Sequence, residues 1–138
     1  MKPTLVVGYD GSPAARAALT YAANYVDEGQ IYIVTAADAA PDYLGEPHYQ
    51  HVVDASHARA RELLDEAVAE LPSGVASHTE LLEGSPAEAI DGVARARDAD
   101  EIVVGSRGLG RIHAALGSVS HDVLHLANRP VVVIPGRT

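Results

Sequence analysis

The chain has no cysteine, which excludes disulfide scaffolds, thiolate zinc sites and thiol nucleophiles. It also has no phenylalanine and no tryptophan. Its six tyrosines are the whole aromatic complement, too few for a platform that stacks nucleic-acid bases. Positive charge is scarce: 10 Lys+Arg stand against 19 Asp+Glu, a formal charge of -9. Such a chain is repelled by nucleic acid and by anionic membrane surfaces, so neither is an expected partner. Lys2 is the single lysine, which rules out a Walker-type loop and argues against a phospho-receiver domain with its lysine after the fifth strand. No apolar run approaches the roughly 20 residues that span a bilayer. Met1 to Val7 passes straight into a strand-like run with no signal peptide ahead of it, and the expected location is the cytoplasm.

What is present is the material of one globular domain, expected to occupy residues 1–138: 47% of the chain is hydrophobic. Strand and helix signals alternate along it. Thr4 to Asp10 is a β-branched, apolar run that stops at Asp10-Gly11-Ser12-Pro13, where Ser12 can cap a helix and Pro13 suits its first position. Ala15, Ala18, Leu19, Ala22 and Val26 then recur at helical spacing until Gly29. Ile31 to Ala36 reads as a second strand and Ala37 to Tyr49 as a loop. A helix is expected from about Val53 to Leu71, with Leu64, Ala67, Val68 and Leu71 as its buried stripe. Val75 to Leu82 reads as a third strand, and Ser85-Pro86-Ala87-Glu88 has capping-box spacing ahead of Ile90, Val93 and Ala94. Glu101 to Gly105 is a compact fourth strand. A glycine-rich loop leads from Gly105 to Gly117, a helix runs from about Ser118 to Ala127, and Val131 to Ile134 is the fifth strand. The alternation predicts an α/β fold: a doubly wound, five-stranded parallel sheet of order 3-2-1-4-5, with helices on both faces.

In such a sheet a ligand crevice opens at the C-terminal ends of the strands where the winding reverses, here between strands 1 and 4. Gly8, Tyr9, Asp10 and Gly11 meet there with Gly105, Ser106, Arg107 and Gly108. Gly117, Ser118 and Ser120 begin the last helix. A glycine-rich loop that delivers the chain to a helix N-terminus is an anion site, because the first N–H groups are unpaired and the dipole favours negative charge. Arg107 and Arg111 add positive charge to that loop. No G-x-G-x-x-G follows the first strand, which argues against a nicotinamide dinucleotide site and leaves a mononucleotide or another phosphate ligand.

Gly105-Ser-Arg-Gly108, Gly117-Ser118-Val119-Ser120 and Arg129-Pro130-Val-Val-Val-Ile-Pro135 together resemble the universal stress protein family, as does the opening Val6-Val7-Gly8-Tyr9-Asp10-Gly11-Ser12. The resemblance covers the whole chain and implies a Rossmann-like fold of the adenine nucleotide hydrolase-like type. It further implies a stress or regulatory protein that binds ATP, or ADP or AMP, with Mg2+ as a companion ion, and that responds to the nucleotide by changing its contacts with other proteins. Members of the ATP-binding branch carry G-x2-G-x9-G-[ST]. Here eight residues, Leu109 to Leu116, separate Gly108 from Gly117, so the loop is one residue shorter. Carried over, Gly8 and Asp10 would meet the ribose or adenine end, and Ala36 would border the base. Val104, Gly105, Arg107 and Gly108 would pass beneath ribose and phosphates, with Gly117, Ser118, Val119 and Ser120 holding phosphate oxygens. Asp10 has an alternative reading as a turn former that caps the next helix. The alternative for the whole protein is a dimeric interaction module of the same fold that binds no nucleotide.

Seven histidines raise the question of a metal. His121 and His125 have the i, i+4 spacing for two imidazoles on one helix face, and His48, His51 and His57 form a looser group. The expected inward face of the last helix is Val119, Val123, Leu126 and Ala127, which leaves His121 and His125 on a solvated side, so no metal site is expected. No histidine or lysine is placed beside Asp10, so any ATP turnover is expected to be slow and incidental. The fifth strand lies at the edge of the sheet and its Val131-Val132-Val133-Ile134 carries no charge to discourage pairing. A homodimer through this strand is expected, a mode the family resemblance also implies.

Overall fold

The computed structural model describes residues 2–38, 48–107 and 116–136. Its elements follow in the order β1 (Thr4–Gly8), α1 (Pro13–Val26), β2 (Gln30–Ala37), α2 (His48–Glu70), β3 (Ala76–Glu83), α3 (Pro86–Ala96), β4 (Glu101–Gly105), α4 (Ser118–Leu126) and β5 (Val131–Ile134). The five strands form one sheet of order β3-β2-β1-β4-β5, every pairing parallel. This is the expected doubly wound arrangement.

The alternation of side chains along the strands divides the core in two. Leu5, Val7, Ile31, Ile33 and Val103 join Ala18, Leu19 and Ala22 of α1 and Leu64 and Ala67 of α2 on one face. Val6, Val34, Ile102 and Val104 join Ile90, Val93 and Ala94 of α3 and Val123 of α4 on the other. The middle strands are buried on both sides, which is why they read as continuous apolar runs. Among the described residues, no helix is long and apolar enough to cross a membrane.

Differences from the sequence reading are local. β1 ends at Gly8 and not at Asp10, because the Asp10 carboxylate turns back to accept the Ser12 N–H at 2.9 Å. α2 begins at His48, five residues before Val53, with first turns too polar to show apolar periodicity. Its buried stripe is Ala60, Leu63, Leu64 and Ala67, whereas Val68 is 42% exposed. That i, i+3, i+4, i+7 pattern shifts the inward face toward the small residues. In α4, Leu126 is 40% exposed where an inward position was expected, and the helix stops there with Ala127 as its C-cap.

Candidate functional site

β1 and β4 are neighbours in the sheet, but their crossovers leave in opposite directions, α1 on one face and α4 on the other. Their C-terminal ends therefore part, and a cavity of ≈ 180 Å³ opens between them. Gly8, Asp10, Ala36, Val104, Gly105, Arg107, Gly117, Ser118, Val119 and Ser120 all line it. Gly108 and Arg111 lie outside the described residues. The cavity also takes in Tyr9, which the sequence reading placed at the crevice, and Ser12, Ala15, Val34, Pro86 and Ile90, which it did not assign to a site. Val34 adjoins an assigned strand end and could have been inferred. Pro86 and Ile90 arrive from α3, and no local signal in the sequence points them at this crevice.

The lining is mixed in chemistry. Val34, Ala36, Pro86, Ile90, Val104 and Val119 contribute apolar surface. Glycine backbone and the polar Asp10, Ser12, Arg107, Ser118 and Ser120 contribute the rest of its character. Four helices begin at this end of the sheet, and for α1, α3 and α4 the capping residue lies among the described residues. In α1 the Ser12 hydroxyl accepts the Ala15 N–H at 3.2 Å, and in α3 the Ser85 hydroxyl accepts the Glu88 N–H at 3.4 Å. In α4 the N-cap is Gly117, which has no side chain to offer. The first intrahelical bond there is His121 N–H to Gly117 O at 3.0 Å, so the N–H groups of Ser118, Val119 and Ser120 precede it without a capping side chain. Of the three, this helix end is the one left open to an anion.

Hydrogen bonds hold the rim in place. The Ser106 N–H donates to Ile134 O at 2.8 Å, the Gly117 N–H donates to Ser106 O, and the Ser12 hydroxyl reaches Arg107 O at 3.4 Å. The Ser120 hydroxyl, almost fully buried, donates toward Ser106 O and Gly117 O, each at 3.1 Å. Its single proton is thus committed to backbone carbonyls, and Ser120 braces the rim while the Ser118 side chain stays exposed. Tyr9 is locked by its backbone, N–H to Val34 O and carbonyl from the Thr35 hydroxyl, both at 2.9 Å. Its own hydroxyl is buried without a hydrogen bond of good geometry. Burial pushes it above the usual tyrosine range, with the nearby Arg16 guanidinium pulling the other way.

Two glycines of the site answer to packing. A Cβ on Gly105 would stand 2.6 Å from the backbone carbonyl carbon of Ala14, and one on Gly8 would stand 2.4 Å from Cδ1 of Ile90. Gly117 has φ -73°, which any residue adopts, so what its missing side chain provides is space at a buried point of the rim. Asp10 serves the turn through its bond from Ser12 and lines the cavity as well. It is the one carboxylate among the described lining residues, so those residues offer a magnesium ion a single anionic ligand there. No group of three or more His, Asp or Glu among the described residues could hold a metal ion. The His121 and His125 rings meet edge to face at 4.6 Å on the exposed side of α4, and His57 pairs with Glu83 at 2.7 Å.

Comparison with known proteins places this geometry in context. The model of the universal stress protein family matches residues 1–135. A universal stress protein of Thermus aquaticus is 37% identical over 97% of this chain and 99% of its own length. Among solved structures, the universal stress protein UspA from Lactobacillus plantarum superposes with a TM-score of 0.82 at 26% identity, covering 96% of this chain and 97% of that one. A universal stress protein crystallised in complex with cAMP superposes with a TM-score of 0.68 at 25% identity, covering 98% of both chains.

Proposed function

The chain belongs to the universal stress protein family, and we propose that it binds an adenine nucleotide (ATP, ADP or AMP) in the crevice between β1 and β4 and acts as a nucleotide-responsive regulatory protein of the cytoplasm. One observation carries this reading: an uncapped helix N-terminus and a group of apolar side chains line the same cavity. The base would lie against Val34, Ala36 and Ile90, where its rings replace water on apolar surface. The Asp10 carboxylate would accept from a ribose hydroxyl. The N–H groups of Ser118 and Val119, with the Ser118 hydroxyl, would donate to phosphate oxygens, and Arg107 is the one cation among the described lining residues. Gly8, Val104 and Gly105 would form the floor, and Gly117 would leave room for the phosphate. The relative crystallised with cAMP supports the choice of an adenine ligand.

Asp10→Ala separates the two ends of the ligand. Losing a charge-assisted hydrogen bond should weaken adenosine binding by roughly tenfold. Inorganic phosphate should bind as to the parent, since α4 is untouched. Separate calorimetric titrations with adenosine and with inorganic phosphate read the two ends. Unchanged adenosine affinity would show Asp10 to be a turn residue and nothing more.

The same reading includes a homodimer through β5. Beyond β5 the sheet has no further strand among the described residues, and Val131 to Ile134 are all half-buried. Val131 and Val133 lie on the α4 face, where Leu124 and Leu126 are 45% and 40% exposed. Pairing with a second copy across a two-fold axis would satisfy the edge and cover this apolar surface together. In light scattering the parent is expected at the mass of two chains and Val133→Lys at that of one. A parent with the mass of one chain at micromolar concentration removes the dimer from the account.

A further inference from the structure

We infer that Arg95, on α3 and outside the crevice, is a positioning residue for the anion site: by holding the last carbonyl of α4 it fixes where that helix aims its N-terminal N–H groups. The inference rests on the nucleotide reading above and adds to it a determinant of phosphate affinity that never touches the ligand.

α4 is nine residues long, about 13 Å at 1.5 Å per residue. It carries little apolar packing. Ser120 and Val123 are its buried residues, Val119 and Ala127 are half-buried, and Leu124 and Leu126 face outward. Val119, Val123 and Ala127 give it one narrow apolar stripe on the core, and polar ties at its two ends add to what sets its direction. At the N-terminal end the ties are the Gly117 N–H and the Ser120 hydroxyl, both donated to Ser106 O. At the C-terminal end it is Arg95, whose Nη2 donates to Leu126 O at 3.0 Å.

Arg95 is itself aimed. Its Nε donates to Asp91 Oδ2 at 2.7 Å, one turn back along α3, and Asp91 is 8% exposed. The other oxygen, Oδ1, is buried with no hydrogen-bond partner. A carboxylate so placed is compensated chiefly by the guanidinium beside it, which holds that guanidinium in one orientation. α3 is a firm base for this arm, with Ile90, Val93 and Ala94 buried in the second core layer. The Arg129 guanidinium further donates to Ala94 O at 2.8 Å and Ala99 O at 2.7 Å, which secures the end of α3 against the chain entering β5. The relay runs from the α3 core through Asp91 and Arg95 to Leu126 O, and along α4 to Ser118 and Val119 in the crevice. The guanidinium also stands at the negative end of the dipole whose positive end receives the anion.

The test compares AMP with adenosine on the parent and on Arg95→Ala, Arg95→Lys and Asp91→Asn, with thermal melting measured alongside. Arg95→Ala should bind AMP about tenfold more weakly, the scale of one charge-assisted hydrogen bond, and adenosine as the parent does. Arg95→Lys can still donate to Leu126 O and should recover part of the loss. Asp91→Asn should fall between. If Arg95→Ala does not fold, the lysine and asparagine variants carry the comparison. A merely structural role would lower the melting temperature and weaken both ligands alike, and that result, or AMP affinity unchanged in all three variants, overturns the inference. A parent that binds neither ligand overturns the nucleotide reading instead.

Discussion

Gly105→Val is expected to destabilise the fold by roughly 3 kcal/mol or more, the upper range for forcing extra atoms into a packed core. β4 ends where the first turn of α1 crosses it, and a Cβ at this position would stand 2.6 Å from both the carbonyl carbon and the Cβ of Ala14. Ala14 is 4% exposed and belongs to a helix whose inner face is fully packed, so its backbone has nowhere to retreat. Against a typical total stability of about 5–15 kcal/mol this is a large fraction. In thermal melting followed by circular dichroism, the midpoint should fall by about 10 °C. Gly92→Ala is the matched control. A Cβ there meets nothing within 4 Å, and Gly92 lies within α3, so the substitution should stabilise by about 0.5–1 kcal/mol. A Gly105→Val protein that melts with the parent would mean that α1 and β4 do not approach as described.

Gly117→Val should do the reverse: keep the fold and lose the phosphate. The backbone at this position, φ -73° and ψ 168°, suits a β-branched residue, so no conformational strain follows. The isopropyl group would stand at a buried point of the rim, beside the N–H groups of Ser118 and Val119. Blocking two charge-assisted hydrogen bonds removes about 3 kcal/mol, or roughly a hundredfold in affinity for AMP. Adenosine binding should change little, and the melting temperature should fall by no more than about 4 °C, the cost of valine at a helix N-cap. Equal AMP affinity in parent and variant would place the phosphate elsewhere.

The sequence displayed the fold wherever a run of one character met a sharp stop. β4 and β5 were legible to the residue because Glu101–Gly105 and Val131–Ile134 are β-branched runs bounded by Gly or Pro. α1 was legible through Ser12 and Pro13, and Ser12 does cap it. The start of α2 was not, since His48 to Asp54 offers no apolar rhythm and the buried Ala60 is too small to register as one. Val68 drew the expected stripe a step out of phase for the opposite reason, being apolar but exposed.

The crevice shows the same division. Asp10 and Arg107, which flank strand ends, and Ser118, at the head of the last helix, could be placed from topology because the winding reverses between β1 and β4. Ile90 and Pro86 could not, since they reach the cavity through the packing of α3 against the sheet, a relation that no spacing within the chain records. Hydroxyl groups were harder still. Ser118 and Ser120 look alike in sequence, yet one is exposed at the mouth and the other spends its proton on the carbonyls of Ser106 and Gly117. Direction of a hydroxyl is a tertiary property.

Calorimetric titration of the unmodified protein with AMP, ADP and ATP, each with and without magnesium, tests the central claim most directly. The account predicts saturable heat with one nucleotide per chain and a melting temperature that rises with nucleotide concentration. No heat and no thermal stabilisation at millimolar nucleotide would contradict it, and would favour the alternative of an interaction module of the same fold that binds no nucleotide.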